Sequence, residues 1–335
     1  IDALISHIIS NDYQFRPGAA VRTLMNDIEP LVEMQNKHGI PIQASAFLGT
    51  SPIRQYTEGW TMDKLISTME KAVSYAVEND VPVMFVTEDT TRSNPDDVRK
   101  IYQRAMELGV RRLCVCDTCG HVTPNGVKKL LNFIDEEVIK DGGYHRSDIE
   151  VNWHGHQDRG LGVANNIASV EAGADVVHGT ALGVGERAGN TSLEEVVMVM
   201  RQHKNLDLMT NINSKLLYET SKLVSSKMGV PVQPNKAIVG ANAFAHSSGI
   251  HQDGVIKNRE TYEIIDPNDV GVNESSIVLT ARSGRAALAY RARNIGFDLN
   301  KLQLDKVYER FLKVADKQKE VSDKELPKII EACKL

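Results

Sequence analysis

The sequence lacks any long run of apolar residues, and no stretch approaches the ~20 residues that a membrane-spanning helix requires. It also lacks an excess of basic residues, because 39 Lys and Arg stand against 44 Asp and Glu, for a formal net charge of −5. Proteins that bind nucleic acids or anionic membranes normally carry a basic patch. We therefore expect no nucleic-acid or membrane partner, and a small-molecule substrate instead.

Cysteine is scarce, with 4 residues in the chain, and Cys114, Cys116 and Cys119 stand close together around one predicted strand. A C-x-C-x-x-C pattern could bind zinc. However, Cys114 and Cys116 share one face of an apolar strand, which favours buried thiols over metal ligands. Reduced thiols are typical of cytoplasmic enzymes, so we predict a cytoplasmic protein rather than a secreted disulfide scaffold.

Strands and helices alternate along the first two thirds of the chain. Apolar strands are predicted near residues 20, 44, 84, 114, 151 and 177, and each ends in polar residues and is followed by a helical segment. Such alternation predicts an α/β fold in which helices cover a parallel sheet. The regular spacing, with polar residues at every carboxyl end, favours a (β/α)8 TIM barrel over an open sheet.

Only six such units are legible, whereas a closed barrel of this type has eight. The chain begins with Ile1 rather than Met, and we therefore expect the first two units to be missing from it. The periodicity changes later in the sequence. We predict an N-terminally incomplete barrel at residues 1–228, followed at 229–335 by a linker and a small α-rich C-terminal subdomain.

The most informative stretch of the sequence contains two histidines separated by one residue. Residues 149–153 are predicted to form a strand, and the period of two places His154 and His156 on the same face. Two such imidazoles can bind one divalent ion. The spacing alone leaves open a purely structural role. The next predicted strand ends at His178 beside a polar, glycine-rich loop, so polar groups of two adjacent strand ends should converge.

Three sequence blocks resemble a known family. They read His-Gly-His-Gln-Asp at 154–158, Gly-Val-Gly-Glu-Arg-Ala-Gly-Asn at 183–190, and His-Ser-Ser-Gly-Ile-His-Gln-Asp at 246–253. They are similar to blocks of the metal-dependent enzymes that condense an acyl-CoA with a 2-oxo acid. The resemblance is strongest to the 2-isopropylmalate synthase family, then to citramalate and homocitrate synthases, and more distant to 3-hydroxy-3-methylglutaryl-CoA lyase. It covers nearly the whole chain.

This resemblance implies a divalent cation, Mn, Mg or Zn, held by His154, His156 and Asn190. In the family, the remaining protein ligand is an aspartate that follows an arginine at the end of the first barrel strand, and this sequence has no such pair. The sequence also departs from the family pattern at Gln157 and Leu182, where asparagine is usual. These two departures put the substrate preference in doubt more than the metal binding.

The resemblance also implies two catalytic residues. Glu88, at the end of a predicted strand, matches the family's acid or base, although it could simply pair with Arg92. His251 is expected to reach the active site of a neighbouring subunit in a homodimer, where it takes part in a proton relay. The alternative is a linker histidine that bonds to Asp253.

Polar residues on other predicted strands are candidates for substrate binding. We predict this role for Arg22, Ser45 and Thr118. A threonine at the position of Thr118 could instead cap the turn that follows it.

The activity implied is that of an acyltransferase in leucine biosynthesis, which condenses acetyl-CoA, as co-substrate, with 2-oxoisovalerate to give 2-isopropylmalate. The main alternative is a citramalate- or homocitrate-type synthase that uses another 2-oxo acid. A lyase that cleaves a 3-hydroxyacyl-CoA is a further alternative. A catalytically inactive fragment that lacks the Arg-Asp pair is the last.

Overall fold

The computed structural model describes residues 2–203, 210–273 and 275–333, which belong to two compact units, Ile1–Val196 and Val197–Leu335. The first unit contains a sheet of six parallel strands in chain order. These strands are β1 (Gly18–Arg22), β2 (Gln43–Gly49), β3 (Val83–Glu88), β4 (Arg112–Asp117), β5 (Glu150–Gly155) and β6 (Val176–Val177). All six strands predicted from the sequence are present.

The register of the sheet brings its carboxyl ends to one edge. Phe47 pairs with Arg22 on one side and with Val86 on the other, and Cys116 pairs with His154. Each strand therefore ends beside the end of its neighbour. Within the described residues, β1 and β6 are the edges of this sheet. That two further units belong before Ile1 stays a prediction.

Helices follow the strands of this unit. They are α1 (Asp2–Ser10), α2 (Met25–His38), α3 (Pro52–Glu58), α4 (Met62–Glu78), α5 (Pro95–Glu107), α6 (Pro124–Phe133), α7 (Gly162–Glu171) and α8 (Leu193–Gln202), which continues past Val196 into the second unit. The helix α4 begins where predicted, because the Thr61 hydroxyl accepts a hydrogen bond from the backbone of Lys64. The short helix α3 was not predicted, although Ser51 precedes it and Pro52 opens it, as is typical of helix starts.

The two faces of the sheet differ in composition. The face that packs on the helices carries the main core, with Phe85, Leu113 and Trp153 fully buried. The opposite face holds a small cluster of Met84, Cys114 and Cys116, with Val86 packed against it. The two cysteines are buried and free, as predicted.

The second unit is mainly helical. Its elements are α9 (Leu217–Met228), β7 (Ala245–His246), α10 (Gly249–Lys257), β8 (Ser276–Ile277), α11 (Arg285–Asn294), α12 (Lys301–Ala315) and α13 (Leu326–Glu331). A separate core surrounds Leu288, Val307 and Phe311. Among the described residues, no helix of either unit is both long and apolar enough to cross a membrane.

Candidate metal centre

Two imidazole rings meet at the carboxyl end of β5. The Nε2 atoms of His154 and His156 lie 3.3 Å apart, with the ring planes at 79°. His156 is past the end of the strand, where its backbone forms an isolated bridge with Asn190. The period-two spacing therefore does place both rings on one side of the sheet, with the same ring nitrogen of each facing the other.

Both rings are held in the neutral form. Burial lowers the pKa of His154 to about 4, and the nearby His178 and His156 add to this effect. Burial, and then the positive charge of Arg187, lowers the pKa of His156. A neutral imidazole keeps one lone pair, which is the form that binds a metal ion.

Asn190 is carried by the glycine-rich loop after β6. Its amide nitrogen donates to the carbonyl of Val184 at 3.0 Å, which fixes the orientation of the side chain. The loop needs glycine at 189, because a Cβ there would lie 1.9 Å from the Gly183 carbonyl oxygen, and φ is +93°. Arg187, on the same loop, donates two hydrogen bonds to the Asp158 carboxylate, at 2.7 and 3.0 Å. It also forms a longer ion pair with its neighbour Glu186.

These residues fit a divalent cation in three respects. Two nitrogen ligands of a tetrahedral Zn²⁺, each about 2.0–2.1 Å from the ion, lie about 3.3–3.4 Å apart, which matches the separation of the two Nε2 atoms. His156 Nδ1 and Asn190 Oδ1 are both buried without a hydrogen-bond partner. Imidazole and amide groups are accepted ligands of Zn²⁺ and Mn²⁺. Within the described ranges, no group of three or more His, Cys, Asp and Glu is arranged so that it could hold a metal ion.

Glu88 ends β3, at the same edge of the sheet. It is about one-third exposed, and one carboxylate oxygen lies 3.9 Å from Nε of Arg54. Arg92 does not pair with Glu88, because its guanidinium binds Asp89 at 2.6–3.0 Å. The alternative interpretation of Glu88, as the partner of Arg92, is therefore wrong.

Thr118 follows β4 at this edge. Its hydroxyl oxygen accepts a hydrogen bond from the backbone N–H of Asp89 at 2.8 Å, which leaves the hydroxyl proton available to a ligand. Asp117 beside it is fully buried and accepts from Thr91 and from the backbone N–H groups of the following turn. Asp117 therefore supports the loop, and Thr118 is the residue free to donate.

The other two predicted substrate-binding residues lie farther from the histidines in the sheet. Arg22 ends β1, and its guanidinium is paired bidentately with Asp27 at 2.7 and 2.8 Å. It lines a cavity of about 520 Å³ that Glu88 also lines. Ser45 lies in the middle of β2, beside Met84, rather than at a strand end.

His251 lies in the second unit, on α10, so it belongs to a helix rather than to a linker. Its ring is exposed and packs against Tyr262 with the centroids 4.2 Å apart. The alternative partner, Asp253, instead forms an ion pair with Lys257 at 2.5 Å. His246 is the histidine of this block that is tightly bonded, to Glu263 at 2.7 Å.

Comparison with known proteins identifies the family of this chain. A family model described as HMGL-like matches residues 3–224, which is more than half of the chain. The chain belongs to the HMGL-like family. A second model, described as homocitrate synthase post-HMGL domain-like, matches residues 238–319 of this HMGL-like protein.

Curated relatives of this HMGL-like chain include the 2-isopropylmalate synthase of Parabacteroides distasonis, 46% identical over 277 residues, covering 82% of the chain and 54% of the relative. The 2-isopropylmalate synthase of a Nostoc species is 43% identical over 297 residues, covering 85% and 55%. The chain thus spans about half the length of the curated relatives it matches. The resemblance noted in the sequence is confirmed.

A solved structure, hydroxymethylglutaryl-CoA lyase from Pseudomonas aeruginosa, superposes with a TM-score of 0.55 at 16% identity, covering 69% of this chain and 75% of that chain. At this identity the likeness shows the fold alone. The predicted TIM-barrel type of α/β fold is confirmed for this HMGL-like chain.

One residue at the site was not singled out from the sequence as functional. His178 follows β6, and its Nδ1 lies 3.4 Å from Nδ1 of His154. The signal was present, because His178 is a polar residue at the end of the strand next to the H-x-H strand. Its meaning depended on the β5–β6 pairing, which joins residues far apart in the sequence of this HMGL-like chain.

Proposed function

We propose that this chain supplies the barrel of an acyltransferase that condenses acetyl-CoA with 2-oxoisovalerate, giving 2-isopropylmalate and CoA in leucine biosynthesis. The observation that carries the proposal is the pair of neutral imidazoles that face each other 3.3 Å apart at the carboxyl edge of the sheet. The names of the curated relatives support the same activity.

In the proposed site, His154, His156 and Asn190 hold a divalent cation, which supplies Lewis-acid polarisation of the 2-oxo acid carbonyl when it is bound. The protein's own groups do the rest. Glu88 accepts a proton from the acetyl-CoA methyl group, whose carbon then attacks the 2-oxo carbon, and the proton returns from Glu88 to the former 2-oxo oxygen, which becomes the product hydroxyl. Thr118 donates its free hydroxyl proton to the 2-oxo acid carboxylate, which fixes the orientation of the substrate. Water then hydrolyses the thioester and releases CoA.

The apolar cluster on the same face of the sheet supports a branched substrate. Met84, Cys114 and Cys116 are buried there, and Cys116 pairs in register with His154. A branched alkyl side chain would be buried favourably in such surroundings, at roughly 0.8 kcal/mol for each CH₂ group. A second carboxylate, as a homocitrate-type synthase requires, would lose hydration beside these three side chains.

The proposal extends to the setting of the enzyme. We place it in the cytoplasm, as a homodimer in which His251 of one subunit serves the active site of the other. The exposed ring of His251 is consistent with a role outside its own unit. The Tyr262 ring against which it packs would hold it in one orientation.

A thiol-release assay on the 335-residue chain tests the activity. We expect CoA release with acetyl-CoA and 2-oxoisovalerate, abolished by a chelator and restored by Mn²⁺, Mg²⁺ or Zn²⁺. Release that depends on pyruvate would instead identify a citramalate synthase. Cleavage of a 3-hydroxyacyl-CoA without any 2-oxo acid would identify a lyase, and no turnover with any of these would refute the proposal.

Replacing Glu88 tests the assignment of the base. We expect Glu88→Gln to lower kcat by about 10²–10⁴, the usual contribution of a general base, with unchanged metal affinity. Glu58→Gln is the matched control, because Glu58 also pairs with Arg54, at 2.9 Å, but does not end a strand. Equal kcat values for the two variants would remove Glu88 from the mechanism.

A further inference from the structure

His178 is held rigidly beside the imidazole pair. Its backbone N–H donates to the carbonyl of Trp153 at 2.9 Å, and its own carbonyl accepts from the Asn166 amide at 2.9 Å. Its ring lies 5.5 Å from the ring of His154, with the planes at 63°. Hydrogen bonds therefore hold the backbone of His178 at both its N–H and its carbonyl. The imidazole has a defined position on the face of the sheet opposite the helices.

The two nitrogens of His154 face different partners. Nε2 faces His156 at 3.3 Å, whereas Nδ1 faces His178 at 3.4 Å. A neutral imidazole has one N–H donor and one lone pair. If Nδ1 carries the proton and donates it to His178, the lone pair of Nε2 is directed towards His156, where the candidate metal centre lies.

We propose that His178 is a positioning residue for His154, because it accepts the Nδ1–H and thereby keeps the Nε2 lone pair of His154 available to a divalent cation. The inference rests on the metal centre of the proposed function. Histidines that bind metal ions nearly always donate their other ring N–H to a partner, which fixes both the tautomer and the ring orientation. In this chain, that partner is another histidine rather than a carboxylate.

The geometry distinguishes this role from direct ligation. A third imidazole ligand would have to approach on the side of His154 Nε2, where His156 lies. His178 instead approaches Nδ1, on the other side of the ring. His178 therefore contacts the ring nitrogen of His154 that points away from His156.

Metal affinity measured by calorimetry on the full chain tests this role. We expect His178→Ala to weaken the binding of Mn²⁺ or Zn²⁺ by about 10–100-fold, which is the usual effect of removing such a partner. His178→Gln, whose amide oxygen can accept the same hydrogen bond, should stay within a few-fold of the parent chain. His145→Ala is the matched control, because it removes an exposed histidine of the same unit and should change nothing.

The ring tautomer gives a second readout, without any metal. In ¹⁵N NMR spectra of the metal-free chain, His154 should carry its proton on Nδ1 in the parent and in His178→Gln. In His178→Ala, both tautomers should be populated. A merely structural role for His178 would lower stability without changing this signature.

The possible results separate the two ideas. If the parent chain binds metal and His178→Ala binds it equally well, the positioning role is overturned and the metal centre stands. If the parent chain binds none of Mn²⁺, Mg²⁺ or Zn²⁺, the metal centre is overturned, and the positioning role with it. A parent spectrum with the proton of His154 on Nε2 would overturn the positioning role whatever the metal affinity.

Discussion

Trp153 and His154 are neighbours in β5, yet they lie in opposite environments. Trp153 is fully buried among the apolar side chains that join the sheet to its helices. His154 projects from the other face, where its two ring nitrogens meet His156 and His178. One face of a strand can therefore hold the fold together while the other carries the chemistry.

The comparison teaches that the two faces tolerate different kinds of change. On the face that packs on the helices, side chains fill the space, so replacing one by a smaller residue leaves a cavity and lowers stability. On the opposite face, the buried Asn190 Oδ1 lacks a partner within the protein, which lowers stability but prepares a site for a ligand. Substitutions on the two faces should therefore separate stability from binding.

The largest effect is expected from His154→Ala, which should abolish measurable metal binding. The free energy of unfolding of the metal-free chain should change by only about 1 kcal/mol, because the ring is not part of the main core. Calorimetry with Mn²⁺ and urea unfolding measure the two quantities. Metal affinity equal to that of the parent chain would contradict the division between the faces.

Trp153→Ala should have the opposite profile. We expect a loss of about 3–5 kcal/mol in the free energy of unfolding, as for other large side chains removed from a core. If this variant does not fold, Trp153→Phe keeps most of the volume and allows the same comparison. For either variant that folds, metal affinity should match the parent chain, and a large loss would show that the two faces are coupled.

Tyr102→Phe removes a buried hydroxyl on the helix side. This hydroxyl donates to the Cys114 carbonyl at 2.7 Å and lies 2.6 Å from the Thr87 hydroxyl. Leaving these groups without their partner should cost about 1–3 kcal/mol. Urea unfolding at pH 8 measures the loss, and Tyr75→Phe, on the partly buried Tyr75, is the control for removing a hydroxyl.

The same residue predicts a dependence on pH. Burial raises the pKa of Tyr102 well above its ordinary value of 10.0. The unfolded chain releases this proton near pH 10 while the folded chain retains it, so stability falls as the pH rises through 10. Urea unfolding between pH 8 and 11 should show this fall in the parent chain and a smaller one in Tyr102→Phe. Equal slopes would exclude Tyr102 as its source.

The smallest effect concerns the loop after β6. Leu182 has a φ of 61°, a left-handed conformation that costs most residues roughly 1–2 kcal/mol. Asparagine tolerates it better, so Leu182→Asn should raise the free energy of unfolding by about 0.5–1 kcal/mol. Leu182→Ala keeps the Cβ that makes the left-handed conformation unfavourable, so it should not raise the free energy of unfolding in this way. A stabilising alanine would contradict this explanation.

Much of the fold could be predicted because its signals are local. A strand period of two placed His154 and His156 on one face, and apolar strands followed by helices predicted the parallel sheet. Contacts between distant segments were harder to predict. The Arg54 contact of Glu88 comes from α3, which was not predicted from the sequence.

Backbone conformation accounts for the failure of two alternatives raised from the sequence. Arg92 stands four positions after Glu88, but the left-handed Asp89, with a φ of 61°, starts a tight turn in which Arg92 pairs with Asp89 instead. A linker position was the alternative for His251, whereas the chain there forms α10 despite the glycines at 249 and 254. Tertiary packing overrides such local preferences.

Gly189 determines where the neighbouring Asn190 lies relative to the two histidines. A hydrogen atom is all that fits between its α-carbon and the Gly183 carbonyl, so a single methyl group would force the two ends of the loop apart. Asn190 would move with them, while the two histidines, which belong to β5 and its end, would keep their support. The amide could thus be withdrawn from the imidazoles by a change that touches none of the three side chains.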